Sequence, residues 1–169
     1  MSVIVISDSS PIRALHHLGL LSLCSSLYGV VIVPEAVRQE LRQPTLTCPS
    51  IQISDYSGFE VRTPRLDPAI AGVPVDLDPG ETQAIALAIE LRADLILMDE
   101  RRATDTARNM GLTTIGVLGV LLEAKRRALV DRVLPLVDRL VTELRFFVSS
   151  SLRERIARLA GEVAPPAIS

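Results

Sequence analysis

Carboxylates stand at the points where buried strand patterns give way to helices. Asp8 follows the apolar run of residues 3–6, and Asp99 follows the run of residues 95–98. Because the carboxyl ends of parallel strands share one edge of a sheet, we expect these two acids to lie there together. Two more acids belong to helices that flank such strands, so the candidate set has four members: Asp8, Glu40, Glu81 and Asp99.

A set of acids of this kind has a definite chemistry. Clustered carboxylates cannot all stay ionised unless positive charge lies among them. Mg²⁺ and Mn²⁺ are hard cations that prefer carboxylate and water oxygens. Such ions activate water and stabilise in-line displacement at phosphorus. The pattern therefore favours a divalent cation at the carboxyl edge of the sheet.

Each acid also has a structural interpretation, which the residues alone leave open. Asp78-x-x-Glu81 fits a capping box, and Glu40 fits a solvated helix edge between two arginines. Asp8 or Asp99 could cap the following helix, although Ser10 before Pro11 is the stronger N-cap candidate at the first of these helices. Three acids of the irregular loop are expected to be solvated turn residues: Asp67, Asp76 and Asp78.

The composition and net charge limit which classes of protein this chain can belong to. The chain has 169 residues, 48% hydrophobic and 22% charged, which predicts one globular domain over residues 1–162 and a loose tail over 163–169. The net charge of −2 argues against passive, tight nucleic-acid binding. Cys24 and Cys48 fit no metal spacing and are expected to be free thiols. The start of the chain lacks a signal pattern and no apolar run approaches ~18 residues, so we expect a cytoplasmic protein without a membrane partner.

Short apolar runs alternate with helical patterns along most of the chain. This alternation is typical of an α/β fold with a parallel, doubly wound sheet. Residues 43–78 hold five prolines and one strand candidate, at 59–62, and are expected to be an irregular, functional or partner-binding region. Residues 116–161 are expected to be helical. The remaining predicted strands cover residues 3–6, 30–33, 95–98 and 112–115.

Two longer motifs resemble a known family. Residues 80–88 read GExxAIALA and residues 116–125 read GxLGxLLxAK, and Asp8-Ser9-Ser10-Pro11 precedes both. Over residues 3–161 the chain resembles a PIN domain of the VapC-type toxin branch. The resemblance implies a three-layer α/β/α fold with a central four- to five-stranded parallel sheet. It also implies a Mg²⁺- or Mn²⁺-dependent endoribonuclease that acts as a toxin, with a small antitoxin as partner, and a homodimer.

The resemblance also implies roles for individual residues. The catalytic acids would be the four named above, with Ser10 orienting the first acid or a water. Asp8, Glu81 and Asp99 would hold the metal, with Glu40 and Glu100 as additional ligand candidates. Residues expected to contact RNA phosphates are Arg13, Arg101 and Arg102.

The chain departs from this branch after Asp99. Glu100 stands where a second aspartate is usual, and Ala103-Thr104 stands where Ala-Arg is usual. These departures and the acidic net charge leave open an alternative function, a catalytically inactive PIN-like module that binds other proteins. An aspartate-nucleophile phosphatase is not favoured, because Ser10 occupies the position of its second aspartate.

Overall fold

A five-stranded parallel sheet forms the centre of the fold. The computed structural model describes residues 2–163. The strand order is β3-β2-β1-β4-β5, so β2 and β3 lie on one side of β1, and β4 and β5 lie on the other. The predicted three-layer α/β/α architecture is confirmed. The strands are β1 (Val5–Ser7), β2 (Val31–Pro34), β3 (Phe59–Arg62), β4 (Leu95–Leu97) and β5 (Thr114–Ile115).

Eight α-helices accompany the sheet within residues 2–163. None of these helices is both long and apolar enough to cross a membrane. They are α1 (Ser9–His17), α2 (Leu23–Tyr28), α3 (Glu35–Arg42), α4 (Pro79–Leu91), α5 (Arg101–Asn109), α6 (Val117–Arg126), α7 (Leu134–Leu144) and α8 (Ser150–Leu159). Among the described residues, the contacts define two compact units, residues 2–117 and residues 118–163.

The first unit contains the sheet. β1 lies at its centre, where Val5 and Ile6 are completely buried because strands pair with β1 on both sides. Its register with β4 places Ser7 opposite Leu97, and the Asp8 backbone N–H donates to the Leu97 carbonyl at 2.9 Å. The sheet edge that follows these strands therefore carries Asp8 and Asp99 on neighbouring strands, as predicted from the order of the elements.

The start of α1 differs from the prediction. The helix begins at Ser9 and Asp8 occupies the N-cap position, so the expectation that Ser10 caps the helix is wrong. Pro11 lies in the first turn, where backbone N–H groups have no intrahelical acceptor, so a residue without an N–H is accommodated there. The Asp8 side chain makes no capping hydrogen bond, and its carboxylate is therefore not committed to the helix.

The segment between α3 and α4 is largely irregular, as predicted. It contains one short 3-10 turn, Ile53–Asp55, and β3 at the predicted residues. Val73 and Leu77 nevertheless belong to the apolar core formed around the sheet and α4. Burial of these two side chains holds the final part of the segment against the sheet, directly before the acid-bearing start of α4.

The second unit consists of helices, as predicted for residues 116–161. The Glu162 carboxylate accepts the Val133 and Leu134 backbone N–H groups at 2.9 to 3.2 Å and so caps the start of α7. Arg153 of α8 donates two hydrogen bonds of 2.9 Å to Asp138 of α7. Residues 164–169, which include most of the predicted loose tail, lie outside the described residues.

Candidate metal centre

Three carboxylates meet where β1, α3 and α4 come together. Asp8, Glu40 and Asp78 each offer an oxygen, and these atoms all lie within 4.8 Å of one another. Asp8 follows β1, Glu40 lies in the last turn of α3, and Asp78 is the N-cap of α4. Within residues 2–163 this is the one group of three potential metal ligands that reaches such proximity.

Asp8 is the buried member of this group. Only 2% of its surface is exposed, and its Oδ1 atom is buried without a hydrogen-bond partner. Burial, together with the negative charges of Asp78, Glu40 and Glu81, raises the pKa of its carboxyl from 3.8 to about 8. The backbone N–H of Ser9 offsets part of this increase in pKa. A buried carboxylate oxygen with no donor is a costly feature unless another group supplies positive charge.

Glu40 is held from two sides. Its Oε1 accepts the Gly80 backbone N–H at 2.9 Å, and the Ser9 hydroxyl interacts with its carboxylate and lowers its pKa. Burial raises the pKa of Glu40, and the Asp78 charge adds to the effect. A Cβ atom on residue 80 would collide with the Glu40 carboxylate, so a glycine is required for this close approach. Glu40 is thus half-buried and turned into the acid group, whereas a solvated helix edge was the simpler expectation.

Asp78 and Glu81 form the predicted capping box. The Glu81 backbone N–H donates to Asp78 Oδ1 at 2.8 Å, and the Asp78 N–H donates to Glu81 Oε2 at 3.2 Å. Glu81 is 6% exposed, and burial raises its pKa to about 7, with Asp78, Glu100 and Glu40 adding charge repulsion. Each carboxylate keeps unused lone pairs, so the cap leaves both acids able to bind a cation.

From its place in the irregular loop, Asp78 was expected to be a solvated turn residue. Its side chain is exposed, but its carboxylate belongs to the three-acid group. The motif Asp78-Pro79-Gly80-Glu81 contained the relevant signal, because an N-cap residue lies at the same helix end as the acid three positions later. That helix end contacts α3, which brings Asp78 to Glu40.

Asp99 has a different environment. Both of its carboxylate oxygens accept the Val117 backbone N–H, at 3.0 and 3.2 Å, at the start of α6. Burial raises its pKa to about 6, and this hydrogen bond offsets part of the increase. A Cβ on residue 116 would collide with Asp99 Oδ1, so Gly116 allows the approach. Asp99 does not belong to the three-acid group found among residues 2–163.

Glu100, not Asp99, caps α5. Its carboxylate accepts the Ala103 backbone N–H at 2.8 Å, the bond that an N-cap residue makes to the third helical residue. The alternative in which Asp99 caps the helix that follows it is therefore wrong. Glu100 is exposed and contributes to the charge repulsion that acts on Glu81.

The remaining predicted residues have distinct environments. Arg13 donates to the backbone carbonyls of Glu40 and Gln43, at 2.6 and 2.8 Å. Arg101 is exposed, and the exposed Arg102 forms an ion pair with Asp76. The hydroxyl that lowers the pKa of an acid of the group is that of Ser9, next to Glu40. For Ser10, the part of the chain that the structure describes shows no hydrogen bond to these acids.

The donor set suits a hard divalent cation. It consists of carboxylate oxygens, which Mg²⁺ and Mn²⁺ prefer, and one of these oxygens is buried without a partner. Burial, and secondarily the mutual repulsion of the acids, raises the pKa values of Asp8, Glu40 and Glu81. Both observations fit a cation bound among Asp8, Glu40 and Asp78.

Comparisons with known proteins agree with this architecture. A family model described as a PIN domain matches residues 4–162, which is nearly the whole chain. No curated protein matches the sequence.

Proposed function

Since the chain belongs to the PIN domain family, whose members are typically nucleases, we propose that it is a metal-dependent endoribonuclease. One observation carries the proposal. Asp8 has a buried carboxylate oxygen without a hydrogen-bond partner, and its carboxylate groups with those of Glu40 and Asp78, as the ligands of a cation would. The reaction is hydrolysis of an RNA phosphodiester.

We propose that Asp8, Glu40 and Asp78 hold Mg²⁺ or Mn²⁺. When bound, the cation would supply Lewis-acid stabilisation of phosphate charge and a more acidic water. Asp8 provides a rigid ligand because it is buried at the end of a central strand. Glu40 and Asp78 are less buried and leave the site open towards solvent on their side. Glu81 supports Asp78 through the capping box.

The role of Asp99 is a separate prediction. The resemblance assigns it as a metal ligand, whereas its carboxylate is hydrogen-bonded to the first N–H of α6. We therefore expect Asp99→Asn to weaken cation binding less than Asp8→Asn does. Asn keeps an acceptor oxygen for the Val117 N–H, so the variant changes the charge and leaves the cap in place.

We also propose the finer assignments that the resemblance implies. The protein would act as the toxin of a toxin–antitoxin pair, form a homodimer and be held inactive by a small protein partner. Support comes from the GExxAIALA and GxLGxLLxAK motifs. Exposed Arg101 is the candidate for contact with RNA phosphate, because Arg13 and Arg102 are engaged with carbonyl and carboxylate oxygens.

Thermal unfolding in Mn²⁺ tests the proposal. A ligand that binds only the folded form raises the unfolding free energy, by about 2.7 kcal/mol at ~100 times its Kd. We expect wild-type protein to show this stabilisation and to cleave a fluorescently labelled RNA, and Asp8→Asn to lose both. Absence of stabilisation together with absence of cleavage would overturn the nuclease proposal and favour the inactive protein-binding module.

A further inference from the structure

Arg13 has an unusual position for an arginine near an acidic site. It lies on α1, and its Nη2 atom donates to the Glu40 carbonyl at 2.6 Å and to the Gln43 carbonyl at 2.8 Å. Its Nη1 atom is buried and has no hydrogen-bond partner. The guanidinium is therefore fixed against protein backbone at the end of α3. Its predicted contact with RNA phosphates stays a prediction.

Arg13 is one of several donors at the end of α3. The Glu40 carbonyl also accepts the Gln43 backbone N–H at 3.0 Å, and the Leu41 and Arg42 carbonyls accept the Ile51 N–H and the Ser50 hydroxyl, each at 2.7 Å. Here Gln43 at the C-cap has φ −88° and ψ 121°, so the chain leaves α3 in an extended conformation. The positive guanidinium supplies hydrogen bonds and also interacts favourably with the negative end of the helix dipole.

One face of α1 holds Glu40 at two points. Ser9 and Arg13 are four residues apart and therefore project from the same side of the helix. Arg13 donates to the Glu40 carbonyl at 2.6 Å, and the Ser9 hydroxyl interacts with the Glu40 carboxylate and lowers its pKa. The third contact comes from α4, whose Gly80 N–H donates to the same carboxylate. Both the backbone and the side chain of Glu40 are thus fixed relative to Asp8.

We propose that Arg13 is a positioning residue that holds Glu40 in the acid group through the end of α3. The local geometry carries this inference, and only its consequence for cation binding rests on the proposed function. Without the Arg13 hydrogen bonds, the last turn of α3 can move away from α1. The Glu40 carboxylate then no longer remains at the Gly80 N–H.

Hydrogen exchange of the Gly80 amide in metal-free protein tests the proposal directly. This N–H lies in the first turn of α4 and has no intrahelical acceptor, so its protection reports on the bond to Glu40. We expect Arg13→Met to accelerate its exchange by about tenfold, the effect of losing one hydrogen bond. Arg13→Lys should restore part of the protection, because lysine keeps the charge and a donor.

The control separates positioning from general stability. Arg42→Met makes the same chemical change at an exposed residue on the same end of α3 and should leave Gly80 exchange unchanged. The Met98 amide, which donates to Ile115 inside the sheet, reports on opening of the core. The proposal is wrong if Arg13→Met accelerates the exchange of the Gly80 and Met98 amides equally. It is also wrong if Arg13→Met accelerates the exchange of neither amide. Arg13→Lys provides the same comparison if the methionine variant fails to fold.

Cation binding adds a second measurement. By calorimetric titration, Arg13→Met should bind Mn²⁺ about tenfold more weakly than wild type, as for other residues that support a metal ligand. Wild-type affinity in this variant would also contradict the inference. If wild-type protein binds no Mn²⁺, the proposed function fails, while the Gly80 exchange still decides the role of Arg13.

Discussion

Replacing Asp8 by asparagine should stabilise the metal-free protein. In the absence of a cation, the Asp8 carboxyl is buried and surrounded by the negative charges of Asp78, Glu40 and Glu81. Ionisation is therefore unfavourable in the folded state. Asparagine has nearly the same shape and no charge, and its amide can donate to the nearby Glu40 and Asp78 carboxylates.

The magnitude follows from the pKa of Asp8. Its folded-state pKa is about 8, against an ordinary value of 3.8. Each pH unit between these values costs about 1.4 kcal/mol of folding free energy, so the full penalty at pH 8 is on the order of 5 kcal/mol. Neighbouring acids take up protons and relieve part of this repulsion. We therefore expect Asp8→Asn to raise the unfolding free energy at pH 8 by about 2–4 kcal/mol.

Urea unfolding in a chelating buffer at pH 8 measures this difference. Asp105→Asn, at an exposed position of α5, is the matched control and should change stability by less than about 0.5 kcal/mol. Saturating Mn²⁺ should reverse the order, because the wild type gains the stabilisation of a bound ligand and the variant does not. An Asp8→Asn protein that is clearly less stable than wild type in chelator would refute the reasoning and identify Asp8 as a structural residue.

Two further predictions use the same acids. In chelator, the free energy of unfolding should fall as the pH rises from 5 to 8. The folded-state pKa values of Asp8, Glu81 and Asp99 are raised to about 8, 7 and 6. The folded state therefore binds more protons than the unfolded state over this interval, and raising the pH favours unfolding. Urea unfolding at several pH values checks this, and a flat or rising curve would contradict it. Gly80→Ala should weaken Mn²⁺ binding by about tenfold, since the new Cβ displaces the Glu40 carboxylate, while stability in chelator changes by less than about 1 kcal/mol. Calorimetric titration measures the affinity, and unchanged binding would show that Glu40 is not a ligand.

The sequence by itself determined the sheet and its order of elements. Short runs of branched apolar residues are typical of parallel strands that are buried on both faces, so β1, β2 and β4 were predictable from local composition. The position of Asp8 and Asp99 at one edge followed, because all parallel strands end on the same side. The capping box at the start of α4 was also predictable from the sequence, because its two acids, Asp78 and Glu81, are three residues apart.

The exact ends of the strands and helices were less predictable, because local backbone pairing decides them. Residues 3–6 form an apolar run, but Val3 is half exposed and the strand instead extends through the buried Ser7. The strand includes Ser7 because its backbone pairs with Leu97 of β4. The Ser7 hydroxyl donates a hydrogen bond to the Asp8 carbonyl at 2.9 Å. The start of α1 then moves to Ser9, which leaves Asp8 at the N-cap position.

Only the tertiary structure decided which partner each acid has. Glu40 and Gly80 are 40 residues apart, Arg13 and Glu40 are 27 apart, and Asp99 and Val117 are 18 apart. Periodicity places a residue on a face or at an edge, but hydrogen bonds over such separations depend on how α1, α3 and α4 pack. That packing brings Asp78 into the acid group, places the Asp99 carboxylate at the start of α6, and places the Arg13 guanidinium against the Glu40 and Gln43 carbonyls.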